Sequence, residues 1–114
     1  MHELSIASSI VDLVQEEAER RAIRVLAVRL ELGVLSGIVK DALTGSYELV
    51  AAGTPLEGSR LVIDEKPVVV YCPVCRDRRE LPSIQMFRCP VCDTPAGEVI
   101  DGDQLRITAL EVAS

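Results

Sequence analysis

Four cysteines dominate the chemistry that this sequence of 114 residues could perform. Cys72 and Cys75 form one Cys-x-x-Cys pair, and Cys89 and Cys92 form a second pair, with 13 residues between the two pairs. A thiol oxidoreductase usually has one such pair with a nucleophilic first cysteine, whereas two pairs at this separation are typical of a closed tetrahedral metal site. The spacing therefore predicts a centre with four thiolate ligands.

Zinc is the ion that we expect at this centre. Both pairs read Cys-Pro-Val-Cys, and each proline fixes φ in a tight turn, here called a knuckle (72–75 and 89–92). Two facing knuckles supply four sulfurs at about 2.3 Å from a zinc ion. Iron in a rubredoxin-like site and a pair of disulfides are the alternatives. Because four protein ligands leave no open position for water, the zinc is expected to be structural rather than catalytic.

The remaining polar residues offer no catalytic constellation. His2 is the single histidine of the chain, and no glycine-rich phosphate-binding loop is present. The carboxylates of Glu16, Glu17 and Glu19 follow the spacing of a solvated helix face. The sequence therefore predicts a protein that is not an enzyme.

A zinc-ribbon nucleic-acid-binding or adaptor protein is the alternative function. Residues 72–92 carry four arginines against Asp77 and Glu80, but a zinc ion with four thiolates would cancel this excess of positive charge. The whole chain has a net charge of -6, so its body would repel a polyanion. We therefore expect no binding to nucleic acid.

The elements that must position these residues can be predicted from apolar spacing. Period 3.6 predicts a first helix over 4–21, and alternation predicts a strand over 24–32. A second helix is expected over 38–52, where Gly53 marks its end and Gly45 is unfavourable inside it. A further strand is expected over 60–67, and residues 68–71 lead into the first knuckle.

The last predicted strand, 105–112, carries apolar residues on both faces, which favours a central position in the sheet. The element order predicts an α+β fold with α/β character, in which two helices pack on a small three-stranded sheet. The four-cysteine zinc-knuckle module is expected as an insertion between the last two strands. We assign residues 1–67 and 99–114 to a discontinuous domain and residues 68–98 to the module.

Composition agrees with a globular cytoplasmic protein. Hydrophobic residues make up 48% of the chain and charged residues 26%, which is ordinary for a soluble domain. No apolar run reaches the roughly 18–20 residues that a membrane span needs. The first residues also lack the basic and apolar regions of a secretory signal.

Several segments carry a family resemblance when they are taken together and in order. They are Met1-His2-Glu3-Leu4-Ser5, Gly33-Val34-Leu35-Ser36-Gly37, Gly53-Thr54-Pro55-Leu56-Glu57-Gly58, the two knuckles, and Ile100-Asp101-Gly102-Asp103-Gln104-Leu105. In this combination the chain closely resembles the HypA/HybF family of hydrogenase-maturation nickel chaperones over essentially its whole length. One departure is Arg76, which follows the first knuckle where many zinc knuckles have glycine and is expected to alter the turn without affecting the ligands.

The resemblance implies a nickel metallochaperone that helps to insert Ni(II) into the large subunit of [NiFe]-hydrogenase. It implies that His2 binds nickel together with backbone nitrogens of Met1 and Glu3, and that the four cysteines bind structural Zn(II). Ni(II) would be a transiently bound cargo. The implied partners are the GTPase HypB and the hydrogenase large-subunit precursor, with no nucleic acid or membrane partner, and the chain is expected to be a monomer or weak homodimer.

The N-terminal residues have a chemistry that suits a nickel cargo. The α-amine, the amide nitrogen of His2 and its imidazole Nδ1 can form fused chelate rings around one ion. Such nitrogen-rich planar sets suit Ni(II) or Cu(II), and they bind Cu(II) more tightly. Selectivity for nickel must therefore come from copper scarcity and from partner contacts. The acidic first helix, next to this site, is expected to help in docking a partner.

Overall fold

The computed structural model describes residues 3–113. The described segment contains two α-helices, six strands and a short 3-10 helix, Val34–Ser36. In chain order the helices and strands are α1 (Glu3–Arg21), β1 (Val25–Gly33), α2 (Lys40–Ala51), β2 (Arg60–Lys66), β3 (Val69–Cys72), β4 (Asp77–Glu80), β5 (Val99–Asp101) and β6 (Leu105–Val112). The two helices and the small sheets confirm the predicted α+β class.

The chain divides into two compact units. One unit comprises the chain up to Leu30, the segment Ile38–Ile63 and the chain from Ile107 onward. The other unit comprises Glu31–Gly37 and Asp64–Arg106, and it contains both knuckles. No helix among residues 3–113 has both the length and the apolar character needed to cross a bilayer.

Helices α1 and α2 lie against each other in the first unit. Apolar side chains at helical spacing explain the contact, because burying one stripe of each helix removes apolar surface from water. Leu13 of α1 is 59% exposed. The buried side chains are Ala7, Ile10, Val11 and Val14 of α1 and Leu43, Tyr47 and Ala51 of α2.

The end of α2 is defined by Gly53 and by the anchoring of Tyr47. Gly53 has a φ of 77°, so it stops the helix as its position in the sequence predicted. The Tyr47 side chain is fully buried, and its hydroxyl lies 2.6 Å from Ser59 Oγ. Ser59 in turn donates to the carbonyl of Leu56, so the buried phenol is satisfied by the turn that follows the helix.

Replacing Gly45 by alanine should stabilise the protein by about 1 kcal/mol, because glycine is a poor helix former. Gly45 lies inside α2, is exposed, and an added Cβ would meet no atom within 4 Å. Urea unfolding followed by circular dichroism measures the change. Gly53→Ala is the matched control and should destabilise, since its φ of 77° disfavours any side chain. A destabilised Gly45→Ala protein would contradict the prediction.

The first sheet has the strand order β2-β1-β6. Its centre is β1, in which Val25, Ala27, Val28, Leu30 and Leu32 are buried. The expectation that the last strand is central is therefore wrong, because β6 forms an edge and most of its side chains are exposed. Apolar residues on both faces of β6 do not indicate burial on both faces.

The second sheet, with the order β4-β3-β5, was not predicted. Strand β3 pairs antiparallel with both neighbours, and Cys72 lies opposite Asp77 in the β3–β4 hairpin. Val68, Val70 and Leu81 form a small buried cluster beneath this sheet. Residues 68–71 do lead into the first knuckle as predicted, and β3 (Val69–Cys72) carries the chain to the first ligand, Cys72.

Two glycines allow a close backbone approach in the second unit. The Gly33 N–H donates to the carbonyl of Gln104, and the Leu35 N–H donates to the carbonyl of Gly102, both at 2.8 Å. A Cβ on Gly33 would lie 2.3 Å from the carbonyl carbon of Gly102. Gly102 itself has a φ of 95°, and a Cβ there would lie 2.4 Å from the oxygen of Pro67. Only glycine fits at either position.

Candidate metal centre

The two knuckles are built by the same backbone hydrogen bonds. In the first, the Arg76 N–H donates to the carbonyl of Cys72 at 2.8 Å. In the second, the Asp93 N–H donates to the carbonyl of Cys89 at 2.9 Å, and the Cys89 N–H donates to the carbonyl of Thr94. Each knuckle is therefore a closed turn whose two cysteines are held on one side.

The residue after each knuckle has a left-handed backbone conformation. Arg76 has a φ of 55° and Asp93 a φ of 62°, in a region that glycine adopts most readily. Both residues keep the hydrogen bond that closes the turn. The expectation that Arg76 would alter its turn is therefore wrong, because its backbone takes the conformation that a glycine would have supplied.

The structure brings all four predicted cysteines together. Their sulfurs lie within 4.8 Å of one another, with 3.5 Å between the sulfurs of Cys72 and Cys92 and 3.9 Å between those of Cys75 and Cys89. A tetrahedral zinc ion about 2.3 Å from each sulfur requires sulfur–sulfur distances of about 3.8 Å. All four cysteines are free thiols here, so the donor set and its dimensions fit a tetrahedral metal ion.

Hydrogen bonds favour the ionised form of two of the four cysteines, Cys89 and Cys92. Burial opposes ionisation of Cys89, but hydrogen bonds from the backbone N–H groups of Cys92 and Val91 outweigh it and lower its pKa to about 6. Hydrogen bonds from the hydroxyl and the N–H of Thr94 lower the pKa of Cys92. Contact with Cys92 raises the pKa of Cys75 to about 11, since adjacent thiols cannot all ionise without a cation.

Two of the four arginines near the knuckles are engaged within the module. Arg79 Nη1 donates to Asp77 Oδ2 at 3.3 Å, and interaction with Cys75 and Cys89 raises the pKa of its guanidinium. Arg88 Nε donates to Asp93 Oδ1 at 3.0 Å. These contacts leave fewer positive charges available for phosphate and weigh against the nucleic-acid alternative.

Of the predicted nickel residues, Met1 and His2 lie outside the described residues, whereas Glu3 is described. Glu3 Oε2 accepts a hydrogen bond of 3.2 Å from the N–H of Val39, the residue that caps the N-terminus of α2. A carboxylate is favoured at this end of a helix, where N–H groups lack partners. Sequence reasoning assigned only the backbone of Glu3 and missed this side-chain contact, which depends on how α1 and α2 pack.

Comparison with known proteins gives consistent matches. The family model described as "Hydrogenase/urease nickel incorporation, metallochaperone, hypA" matches residues 1–112. The "Hydrogenase maturation factor HypA" of Chloroflexus aurantiacus is 46% identical over 112 residues, covering 97% of this chain and 98% of that protein. Its counterpart from Geobacter metallireducens is 42% identical over 113 residues, covering 98% and 99%.

Two solved structures share the fold. The solution structure of the Ni metallochaperone HypA from Helicobacter pylori matches with a TM-score of 0.68 and 22% identity, covering 98% of this chain and 97% of that one. A second solution structure, of HypA protein, matches with a TM-score of 0.73 and 22% identity over 99% and 97% of the two chains. At this level of identity the matches support the fold alone.

Proposed function

This chain belongs to the HypA family of hydrogenase/urease nickel-incorporation metallochaperones, so it is a maturation factor and not an enzyme, and we propose that it delivers Ni(II) to the [NiFe]-hydrogenase large subunit. The observation that carries the proposal is the match of the family model over residues 1–112, which includes the N-terminal Met-His-Glu. The partners would be the GTPase HypB and the hydrogenase large-subunit precursor, in the cytoplasm.

The proposed nickel site consists of His2 with backbone nitrogens of Met1 and Glu3. Nitrogen donors that form fused chelate rings suit Ni(II). The Glu3 carboxylate accepts a hydrogen bond from the Val39 N–H, and this contact would hold the third residue of the site at the start of α2. In this arrangement Glu3 contributes its amide nitrogen to nickel, while its side chain anchors the segment.

The proposed structural zinc site consists of the four cysteines. The sulfur–sulfur distances of 3.5 Å and 3.9 Å and the soft thiolate donors support Zn(II), and rubredoxin-like iron remains the competing ion. Zinc would supply the cross-link between the two knuckles and perform no chemistry on a substrate. A closed four-thiolate centre suits retention, whereas a nitrogen site with few ligands suits exchange, so cargo and structural metal would be kept apart.

Metal content and nickel competition on the full chain with a free N-terminus test this function. We expect one zinc per chain on purification, and one further Ni(II) bound in competition with a chromophoric chelator. The zinc content should not change while nickel binds. A chain that holds zinc and shows no response to nickel would contradict the proposal and favour the adaptor or nucleic-acid alternative.

The exposed acidic face of α1 should contribute to docking HypB. Glu17 is already paired with Arg20, which holds the pKa of its carboxyl below the usual range, whereas Glu16 and Glu19 are exposed. The double variant Glu16→Lys, Glu19→Lys should weaken HypB binding several-fold, because exposed charges steer and stabilise association. Titration calorimetry at two salt concentrations measures this effect, which should shrink as salt rises.

Glu48→Lys is the matched control for this surface, since Glu48 is an exposed carboxylate on α2. The affinity of Glu48→Lys for HypB should stay within twofold of the affinity of the parent chain. Equal HypB affinity in the α1 double variant and the parent chain would show that the acidic face is merely solvated.

A further inference from the structure

Strand pairing places Arg79 on the same face as the first metal ligand. Cys72 lies opposite Asp77, and Val70 lies opposite Arg79, so all four side chains point to one side of the β3–β4 hairpin. Arg78, one residue away, points to the other side and is exposed. The Arg79 side chain is only 23% exposed, which is unusual for a residue of this charge in so small a module.

A sulfur from each knuckle influences the Arg79 guanidinium. Cys75 and Cys89, whose sulfurs are 3.9 Å apart, both raise the pKa of Arg79. Its Nη1 donates to Asp77 Oδ2 at 3.3 Å and to the carbonyl of Arg78 at 3.2 Å. Its Nε is buried and has no partner among the described residues, so this donor still needs an acceptor.

The metal-loaded centre would carry a negative charge that a neighbouring cation can stabilise. Four thiolates around a divalent ion leave a net charge of about -2 on the loaded centre. Arg88 and Asp93 neutralise each other at 3.0 Å, and Asp77 already contacts Arg79. Arg79 lies on the hairpin face that carries Cys72, and its buried Nε has no partner among the described residues, so it can donate a charge-assisted hydrogen bond to a thiolate there.

We propose that Arg79 is a positioning residue that holds the zinc centre closed by donating hydrogen bonds across its Cys75–Cys89 edge. The proposal rests on the zinc assignment above and deepens it. A thiolate that accepts a hydrogen bond from a guanidinium is a weaker nucleophile, so a competing chelator or Ni(II) ion captures it more slowly. Arg79 thereby protects the structural metal of a nickel carrier from exchange with the cargo.

Zinc release from the full, zinc-loaded chain to 4-(2-pyridylazo)resorcinol at fixed neutral pH tests this role. Arg79→Gln removes the charge and the fork of donors. It should accelerate zinc release about tenfold, because the stabilisation lost with one hydrogen bond to a charged group corresponds to roughly that factor. Arg79→Lys keeps the charge and should fall between Arg79→Gln and the parent chain. Arg78→Gln, the matched control on the opposite face, should release zinc within twofold of the parental rate.

Cobalt(II) substitution separates a local contact from a loosened fold. Losing a hydrogen bond raises the energy of the sulfur lone pairs, so the sulfur-to-cobalt charge-transfer band should move to lower energy in Arg79→Gln and not in Arg78→Gln. If Arg79→Gln does not fold, zinc release and the cobalt(II) spectrum are both measured on Arg79→Lys.

The proposal would be overturned if the Arg79 variants released zinc at the parental rate and showed the parental cobalt spectrum. It would also be overturned if Arg78→Gln accelerated zinc release as much as Arg79→Gln does. These outcomes leave the zinc assignment intact, because each variant would still hold one zinc. A parent chain that retains no zinc would instead overturn the zinc assignment and this proposal together.

Discussion

Replacing Cys89 by serine should reduce the zinc content from one ion per chain to nearly none and should unfold the module around the knuckles. Cys89 is buried, and a serine hydroxyl is a poor zinc ligand. Structural zinc in small modules contributes an apparent binding free energy of about 10–16 kcal/mol, most of which is folding energy. The cluster of Val68, Val70 and Leu81 is too small to hold the second sheet without it.

Elemental analysis and amide hydrogen exchange measure the two effects. Exchange should accelerate in residues 68–98, while α1 and α2 should remain protected because their buried faces pack against each other. Val91→Ala is the matched control, since Val91 lies between the same two cysteines and is 69% exposed. Full zinc occupancy in Cys89→Ser would show that the four-thiolate assignment is wrong.

Replacing His2 by alanine should abolish specific Ni(II) binding while zinc content and the free energy of unfolding stay nearly unchanged. The substitution removes the imidazole arm of the proposed chelate and leaves the zinc ligands intact. Binding should also weaken as pH falls below the ordinary pKa values of imidazole and an α-amine, because both must lose a proton to coordinate nickel. Competitive titration of Ni(II) at several pH values measures both effects.

An N-terminal extension should have the same effect as His2→Ala, because it converts the α-amine into an amide. A non-coordinating C-terminal tag is the control and should leave nickel affinity unchanged. If His2→Ala binds nickel as tightly as the parent chain, the nickel site lies elsewhere and the function proposed from the family must be revised.

The long elements of the fold could be predicted because their apolar residues repeat over two or more turns or pleats. Strands β4 and β5 could not be, because they have four and three residues, and Asp-Arg-Arg-Glu shows no apolar alternation. These short strands form because β3 supplies partners on both sides. The edge position of β6 also depends on pairing, which its own pattern does not encode.

The candidate metal centre was predictable for a similar reason. The spacing of each Cys-x-x-Cys pair is local, so it fixes two ligands whatever the rest of the chain does. The contacts of Arg79 and Glu3 are different, since each depends on a pairing between separate elements. Arg79 lies on the hairpin face that carries Cys72 because it pairs with Val70, and Glu3 contacts Val39 because the two helices meet. Charge and position along the chain predict neither contact.

The backbone approach at Gly33 and Gly102 has a consequence for how substitutions can accumulate in this protein. An alanine at Gly33 would place its Cβ 2.3 Å from backbone, and an alanine at Gly102 would add an unfavourable φ to a similar clash. No repacking of side chains relieves either, because the obstructing atoms belong to the main chain. In a saturation library selected for hydrogenase maturation, we expect glycine alone to survive at both positions, while exposed knuckle positions such as Val74 and Val91 vary freely.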